Sequence, residues 1–301
     1  MGSVPRAKLI AAFAAIYIIW GSTYLGILFA IQTIPPLLMA GVRFSIAGLL
    51  LYAWARRGNT KPTRLQWRNC AMIGALLLLG GNGGVVLSER LVPSGLAALL
   101  VAALPMWTVI LEWARPKGTK PNRGVIAGLI LGLIGLVFLI GPSALQPSSS
   151  GGISIAGVVL LTFAEVSWAS GSLLSQHVQL PKSSMLATAM QMISAGAIFL
   201  AISFIIGEPM RFDISHVSAK SLGGLLYLIT FGSLVAFTAY VWLLKVSTPA
   251  KVSTYAYVNP IVALFLGWAF AGERLAPQTA LASAIIIAAV ALITSARNVK
   301  A

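Results

Sequence analysis

The sequence predicts an all-α integral membrane protein: ten transmembrane helices arranged as two inverted five-helix repeats around a central cavity. Three observations carry this. Of 301 residues, 58% are hydrophobic and only 9% charged, where soluble domains are about a quarter charged. Apolar stretches of about 20 residues, enough to cross a hydrocarbon core ~30 Å thick, follow one another along almost the whole chain. A proline-marked element also occurs twice: Pro93, Pro105 and Pro121 recur as Pro249, Pro260 and Pro277, at offsets of 156, 155 and 156. Such spans must be helical, because lipid offers no partner to a free backbone N–H or C=O.

Taken in order, the spans are predicted at 9–34, 36–56, 68–88, 94–113, 123–141, 152–175, 183–206, 220–244, 252–271 and 275–296. Turn signals separate them, among them Pro35-Pro36, Val92-Pro93, Pro181, Glu208-Pro209, Thr248-Pro249 and Gly272-Glu273. The first run, from Leu9, lacks an Ala-x-Ala-like cleavage site and leads directly into a second span, so it reads as retained rather than as a signal peptide. With the N-terminus inside, the inner loops and tails hold sixteen Lys/Arg and the outer loops four, Arg90, Arg211, Lys220 and Arg274. That bias places both termini in the cytoplasm of a multi-pass inner-membrane protein.

Five spans per half is an odd number, so the halves enter the membrane in opposite orientations. The first repeat is expected over residues 1–145 and the second over 152–301, joined by the Pro147–Gly152 linker. Trp20-Gly21-Ser22 matches Trp168-Ala169-Ser170 at an offset of 148, and Arg43 falls on Gln191 at the same offset. An inverted repeat places a binding site near the midplane between the halves.

Composition excludes several classes. A net charge of +15 lies in short loops between apolar spans, where it orients the chain beside anionic lipid; no nucleic-acid partner is expected. The single Cys70 excludes an internal disulfide and a multi-thiolate metal site. There is no Gly-x-x-x-x-Gly-Lys-Ser/Thr loop for ATP, and His177 and His216 have no cysteine or carboxylate at ligand spacing. No catalytic residue, cofactor or metal is expected, so the chain reads as a non-enzyme. Gly80-Gly81-Asn82-Gly83-Gly84 sits mid-span without a lysine and reads as close helix packing.

Polar and aromatic residues at depth mark the candidate binding surface. Glu165 is near the midplane of the sixth span, where an unpaired charge costs about 2.5–3.5 kcal/mol on insertion scales. It is either a cavity-facing carboxyl, holding an amine or a proton, or a neutral acid in a structural hydrogen bond. Trp168 and Ser172 follow it at i+3 and i+7, on one helix face. Tyr17, Trp20 and Tyr24 form the matching face of the first span. The Asn82 amide needs a partner, from a neighbouring helix or a ligand. Arg43 either snorkels outward or pairs with Glu89. Tyr255 and Asn259 share a face just before Pro260, and Thr238 is added from the eighth span. Pro105 and Pro260 interrupt the hydrogen-bond ladder in mid-span and read as hinges.

Pro249-Ala250, Asn259-Pro260-Ile261-Val262-Ala263, Gly272-Glu273-Arg274-Leu275 and Gln278, with Trp20-Gly21-Ser22 and Arg43-Phe44 in the first half, resemble the EamA family of the drug/metabolite transporter superfamily. The resemblance covers essentially all ten spans. It implies a transporter with spans 1, 3, 4, 6, 8 and 9 around the cavity and spans 5 and 10 peripheral. Among its members the chain is most similar to bacterial amino-acid exporters of the YddG type. One departure stands out: the first half has Ala114-Arg115 where the second has Gly272-Glu273.

The expectation is therefore an exporter of small amphipathic metabolites, foremost amino acids with aromatic or apolar side chains, moved by alternating access. A neutral or zwitterionic ligand with an apolar body suits a surface rich in aromatics and poor in ionisable groups. The competing reading is a proton-coupled exporter of cationic compounds that uses Glu165. The small-molecule substrate and membrane lipid are the only partners expected, with a monomer left open as the working unit.

Overall fold

A computed structural model describes residues 5–57, 61–115, 118, 120–140, 154–247, 252, 255–272 and 277–298. Its helices are α1 (Arg6–Ala30), α2 (Pro36–Ala55), α3 (Arg64–Ser88), α4a (Ser94–Val101), α4b (Leu104–Ala114), α5 (Arg123–Ile140), α6 (Ile155–Ser175), α7 (Ser184–Ile205), α8 (Ala219–Val246), α9 (Tyr255–Ala271) and α10 (Pro277–Asn298). Among the described residues, seven helical runs are long and apolar enough to cross a membrane, and three further apolar helices fall in α5, α9 and α10. The Pro147–Gly152 linker, the Thr248-Pro249 turn and the Glu273-Arg274 pair lie outside the described residues.

Helix ends are set by local chemistry. Pro36 opens α2 at its first turn, where a missing N–H costs nothing. Thr63 and Gln66 form a capping box that starts α3 four residues before the predicted span. Gly207, with φ +77°, ends α7; its N–H bonds Phe204 O and that of Glu208 bonds Ser203 O. This turn aims Glu208 at the N-terminus of α2. Its carboxylate accepts from the N–H groups of Leu37 (3.3 Å) and Leu38 (2.7 Å) and from the Ser203 hydroxyl (2.8 Å), satisfying orphan donors at the positive end of a helix dipole.

Packing shows the internal two-fold relation. The repeat equates α1 with α6, α2 with α7, α3 with α8, α4 with α9 and α5 with α10. α2 packs on α7 and α5 on α10. The α3–α6 contact has its mate in α8–α1, and α4b–α6 has its mate in α9–α1. Glycines permit these close approaches. A Cβ at Gly81 would stand 2.8 Å from the Trp168 ring, and one at Gly84 2.7 Å from Ala164, while Gly80 abuts Ser167 and Gly83 abuts Phe199. The glycine cluster is thus helix packing against α6 and α7. At the equivalent α8–α1 interface, a Cβ on Gly224 would sit 2.8 Å from the backbone oxygen of Gly26, whereas Gly223 has nothing within 4 Å. Gly224→Ala is therefore expected to lower the melting temperature of the purified protein, with Gly223→Ala unchanged; equal melting of both would remove this contact as a constraint.

Two features depart from regular helices. The fourth span was expected as one helix hinged at Pro105. Instead it breaks: α4a ends at Val101, Ala102 and Ala103 turn, and Pro105 lies in the first turn of α4b. Its counterpart Pro260 stays inside a continuous α9. Second, α1, α3 and α8 each contain a π-helical stretch, at Ala15–Ile19, Ala75–Asn82 and Leu228–Phe237. Each has a carbonyl taken by a side chain from another helix. Ser167 donates to Leu76 O (2.7 Å) and Trp20 Nε1 to Gly232 O (3.4 Å). The Asn259 amide, oriented to suit its neighbours, donates to Tyr17 O (3.0 Å) and Ile16 O (3.3 Å).

Candidate functional site

The central chamber lies between the halves and has a volume of about 80 Å³. Since one water needs roughly 10–15 Å³ on this measure, it holds a handful of waters in this state. Seven of the nine residues expected at the site line it: Trp20, Tyr24, Asn82, Glu165, Trp168, Tyr255 and Asn259. Tyr17 and Thr238 are not among the lining residues. Both sit at π-helical stretches, whose i→i+5 hydrogen bonds change the phase of side chains along a helix. Tyr17 lies within the π stretch of α1, packs on Phe13 at 5.9 Å and lends its carbonyl to Asn259. Thr238 directly follows the π stretch of α8.

What replaces them went unread in the sequence. Phe237 lines the chamber, and Tyr240 packs against Trp20 (4.9 Å), Trp168 (5.9 Å), Tyr255 (6.1 Å) and Phe237 (6.2 Å). Trp20 also meets Trp168 edge-on at 5.7 Å and Tyr255 at 5.2 Å. These rings form a continuous layer. Apart from Trp20, from the middle of α1, they belong to the last part of α6 and α8 and the first part of α9, so the layer lies on the side of the chamber where α1 begins and α10 ends. Beneath it the Ser172 and Tyr240 hydroxyls are 3.3 Å apart. Phe237 and Tyr240 share the i, i+3 aromatic spacing of Tyr17 and Trp20, which was the available signal.

Arg43 is the second surprise. Rather than snorkelling outward, it is 3% exposed and lines the chamber with its neighbour Phe44. This adds α2 to the six spans that the family resemblance implied. Nε donates to Ser233 on α8 at 2.9 Å, and Nη1 reaches the Asn82 oxygen on α3 at 3.5 Å. Glu89, also buried, lies within electrostatic reach of the guanidinium. Gly232 leaves room for it: a Cβ there would stand 3.1 Å from Nη2. The Asn82 amide thus has a helix partner, and Arg43 ties α2, α3 and α8 together at the chamber wall.

Glu165 is 4% exposed, and its Oε1 is buried without a hydrogen bond. The Trp107 indole faces the carboxyl, but its Nε1 is likewise left unsatisfied. Unpaired polar atoms this deep are uncommon and call for a ligand or a movement to satisfy them. Among the described residues no group of three His, Cys, Asp or Glu could hold a metal ion.

Two inverted five-helix halves around a chamber lined by Glu165, Arg43 and an aromatic wall have the architecture of a membrane transporter. The chain belongs to the EamA-like transporter family, whose pattern matches residues 7–141 and again 155–295. It is 40% identical over 293 residues to the inner membrane transporter YedA of Escherichia coli (strain K12), covering 95% of this chain and 90% of the relative. It is 25% identical to the transporter YoaV of Bacillus subtilis (strain 168), over 93% and 94% of the two chains. Protein PecM of Dickeya dadantii (strain 3937) is 28% identical over 89% and 88%. A crystal structure of a protein with 20% identity superposes with a TM-score of 0.67, covering 98% and 99% of the two chains, and so shares the fold. The protein is a multi-pass inner-membrane transporter, not an enzyme.

Proposed function

We propose that this transporter exports small zwitterionic metabolites with an apolar body, foremost amino acids with aromatic or branched side chains. One observation carries the reading: Arg43 and Glu165 line the same aromatic-walled chamber. A guanidinium suits a carboxylate, the Glu165 carboxyl suits an ammonium, and Trp20, Trp168 and Tyr255 offer ring faces to the side chain. A doubly anionic sugar phosphate would need several buried cations, and among the described residues Arg43 is the one cation in the wall. The sixteen-to-four charge count supports cytoplasmic termini, which would put the aromatic layer on the cytoplasmic side of the chamber. Alternating access would use the α4 break beside Pro105 and the Pro260 position in α9 as its bending points.

The test is efflux from proteoliposomes preloaded with labelled tryptophan, phenylalanine or leucine. Saturable efflux is expected, slowed by Pro260→Ala; efflux no faster than from empty liposomes for all three would sink the substrate claim. The unsatisfied Oε1 of Glu165 also favours a second reading, proton-linked export of cationic compounds. Glu165→Gln separates the two. Amino-acid efflux that survives it, with cation efflux abolished, supports the second.

A further inference from the structure

A second cavity opens beside the chamber, between α4, α5 and α6, with a volume of about 400 Å³. It falls within the roughly 300–1,000 Å³ of ordinary ligand pockets, which the central chamber does not. Its walls are Leu100, Met106, Trp107 and Ile110 from α4, Leu129, Ile130 and Leu133 from α5, and Val158, Thr162 and Glu165 from α6. Ile130 and Leu133 are each 57% exposed, so the α5 wall reaches the outer, lipid-facing surface of the bundle. Glu165 lines both cavities and is the partition between them.

The chemistry of this lining is one-sided. Among the described residues it holds one carboxyl and no cation, whereas the chamber holds both Glu165 and Arg43. Glu165 Oε1 and Trp107 Nε1 are buried and unsatisfied at this wall. A carboxylate in such surroundings is costly unless paired, and among the described residues the lateral lining offers it no cation, only the Trp107 indole that faces it. A fatty carboxylate would place a second acid beside Glu165, and an alcohol could hydrogen-bond the neutral carboxyl but not pair its charged form. An ammonium on an apolar chain satisfies the carboxyl while its chain fills the pocket.

We infer that the lateral cavity is a second binding site, open to the bilayer, for amphipathic amines: the chain lies between α4, α5 and α6 and the ammonium reaches Glu165 from the membrane side. This rests on the reading of Glu165 as the ammonium-binding group of the proposed function, and adds a substrate class and route that the chamber alone does not provide.

The experiment uses the full chain in lipid nanodiscs, titrated with a long-chain primary amine brominated at its far end. The alcohol and carboxylic acid of the same length serve as comparison probes. Bromine quenches tryptophan on contact. The exposed Trp54, Trp113 and Trp268 give a background common to all three probes, and Trp107 reports the lateral cavity. The amine is expected to give saturable quenching that disappears in Trp107→Phe, weakens at least tenfold in Glu165→Gln, and is blocked by Val158→Phe, which fills the cavity. Amino-acid efflux should persist in Val158→Phe, because Val158 is absent from the chamber wall. Equal quenching by amine, alcohol and acid, indifferent to Glu165→Gln, would show a crevice for lipid chains only and overturn the inference. Quenching that survives Trp107→Phe but is lost in Trp168→Phe would place the amine in the chamber and overturn it equally. Loss of amino-acid efflux in the parent protein, with the quenching intact, would remove the zwitterion reading and leave this site standing.

Discussion

Arg43→Met is expected to abolish measurable export and to destabilise the protein by about 3–5 kcal/mol. The stability loss follows from burial. Removing the guanidinium strips Ser233 and Asn82 of their donor and leaves the buried Glu89 without its neighbouring positive charge. The transport loss follows from the proposed ligand contact. A hydrogen bond to a charged group contributes about 1.5–3 kcal/mol, or roughly 10- to 150-fold in affinity. The double variant Arg43→Met/Glu89→Gln separates the two, since neutralising Glu89 restores the melting temperature without restoring ligand binding. Recovery of both would make Arg43 a structural tie alone. Recovery of neither would move the stabilising contact away from Glu89.

Trp20→Ala is expected to cost about 3–5 kcal/mol and to breach the aromatic layer. Trp20 meets four other rings of that layer, Trp168, Phe237, Tyr240 and Tyr255, and no other ring among the described residues of the first half meets as many of them. A cysteine at Thr23, on the chamber wall, reports the breach in a Cys70→Ser background. A membrane-impermeant maleimide added on the side of the chain termini should label it at least tenfold faster in Trp20→Ala than in the parent. Equal labelling would show that the rings are not the barrier.

The fold was legible because it rests on composition and repetition. Apolar length, the proline offsets and the split of lysines and arginines between loops are properties that every residue in a span contributes to. The details of the site rest on single residues and on backbone phase. Nothing in Leu228–Phe237 announces a π stretch, yet Phe237 at its end lines the chamber and Thr238, the next residue, does not. Tyr17 likewise lies within a π stretch, where the phase of a regular helix, in line with Trp20 and Tyr24, does not hold. Arg43 was underread because an arginine high in a span is usually drawn to the surface. Its confinement depends on Ser233 and Gly232, which lie 190 and 189 residues away in sequence and adjoin it only in the folded bundle. Glu165, by contrast, was conspicuous from its cost alone.

The unequal fate of the two prolines has an energetic consequence. If inverted halves exchange conformations, a state open to one face becomes a state open to the other; with identical sequences the two states would have the same free energy. Here the chain turns between Val101 and Leu104 while α9 is continuous through Pro260, and the residues around the two prolines differ, so such an exchange is not energetically neutral. Under the alternating-access proposal each 1.4 kcal/mol of difference would favour one facing over the other tenfold. Substitutions at Ala102 and Ala103 are then expected to act as ballast, shifting which way an empty chamber points.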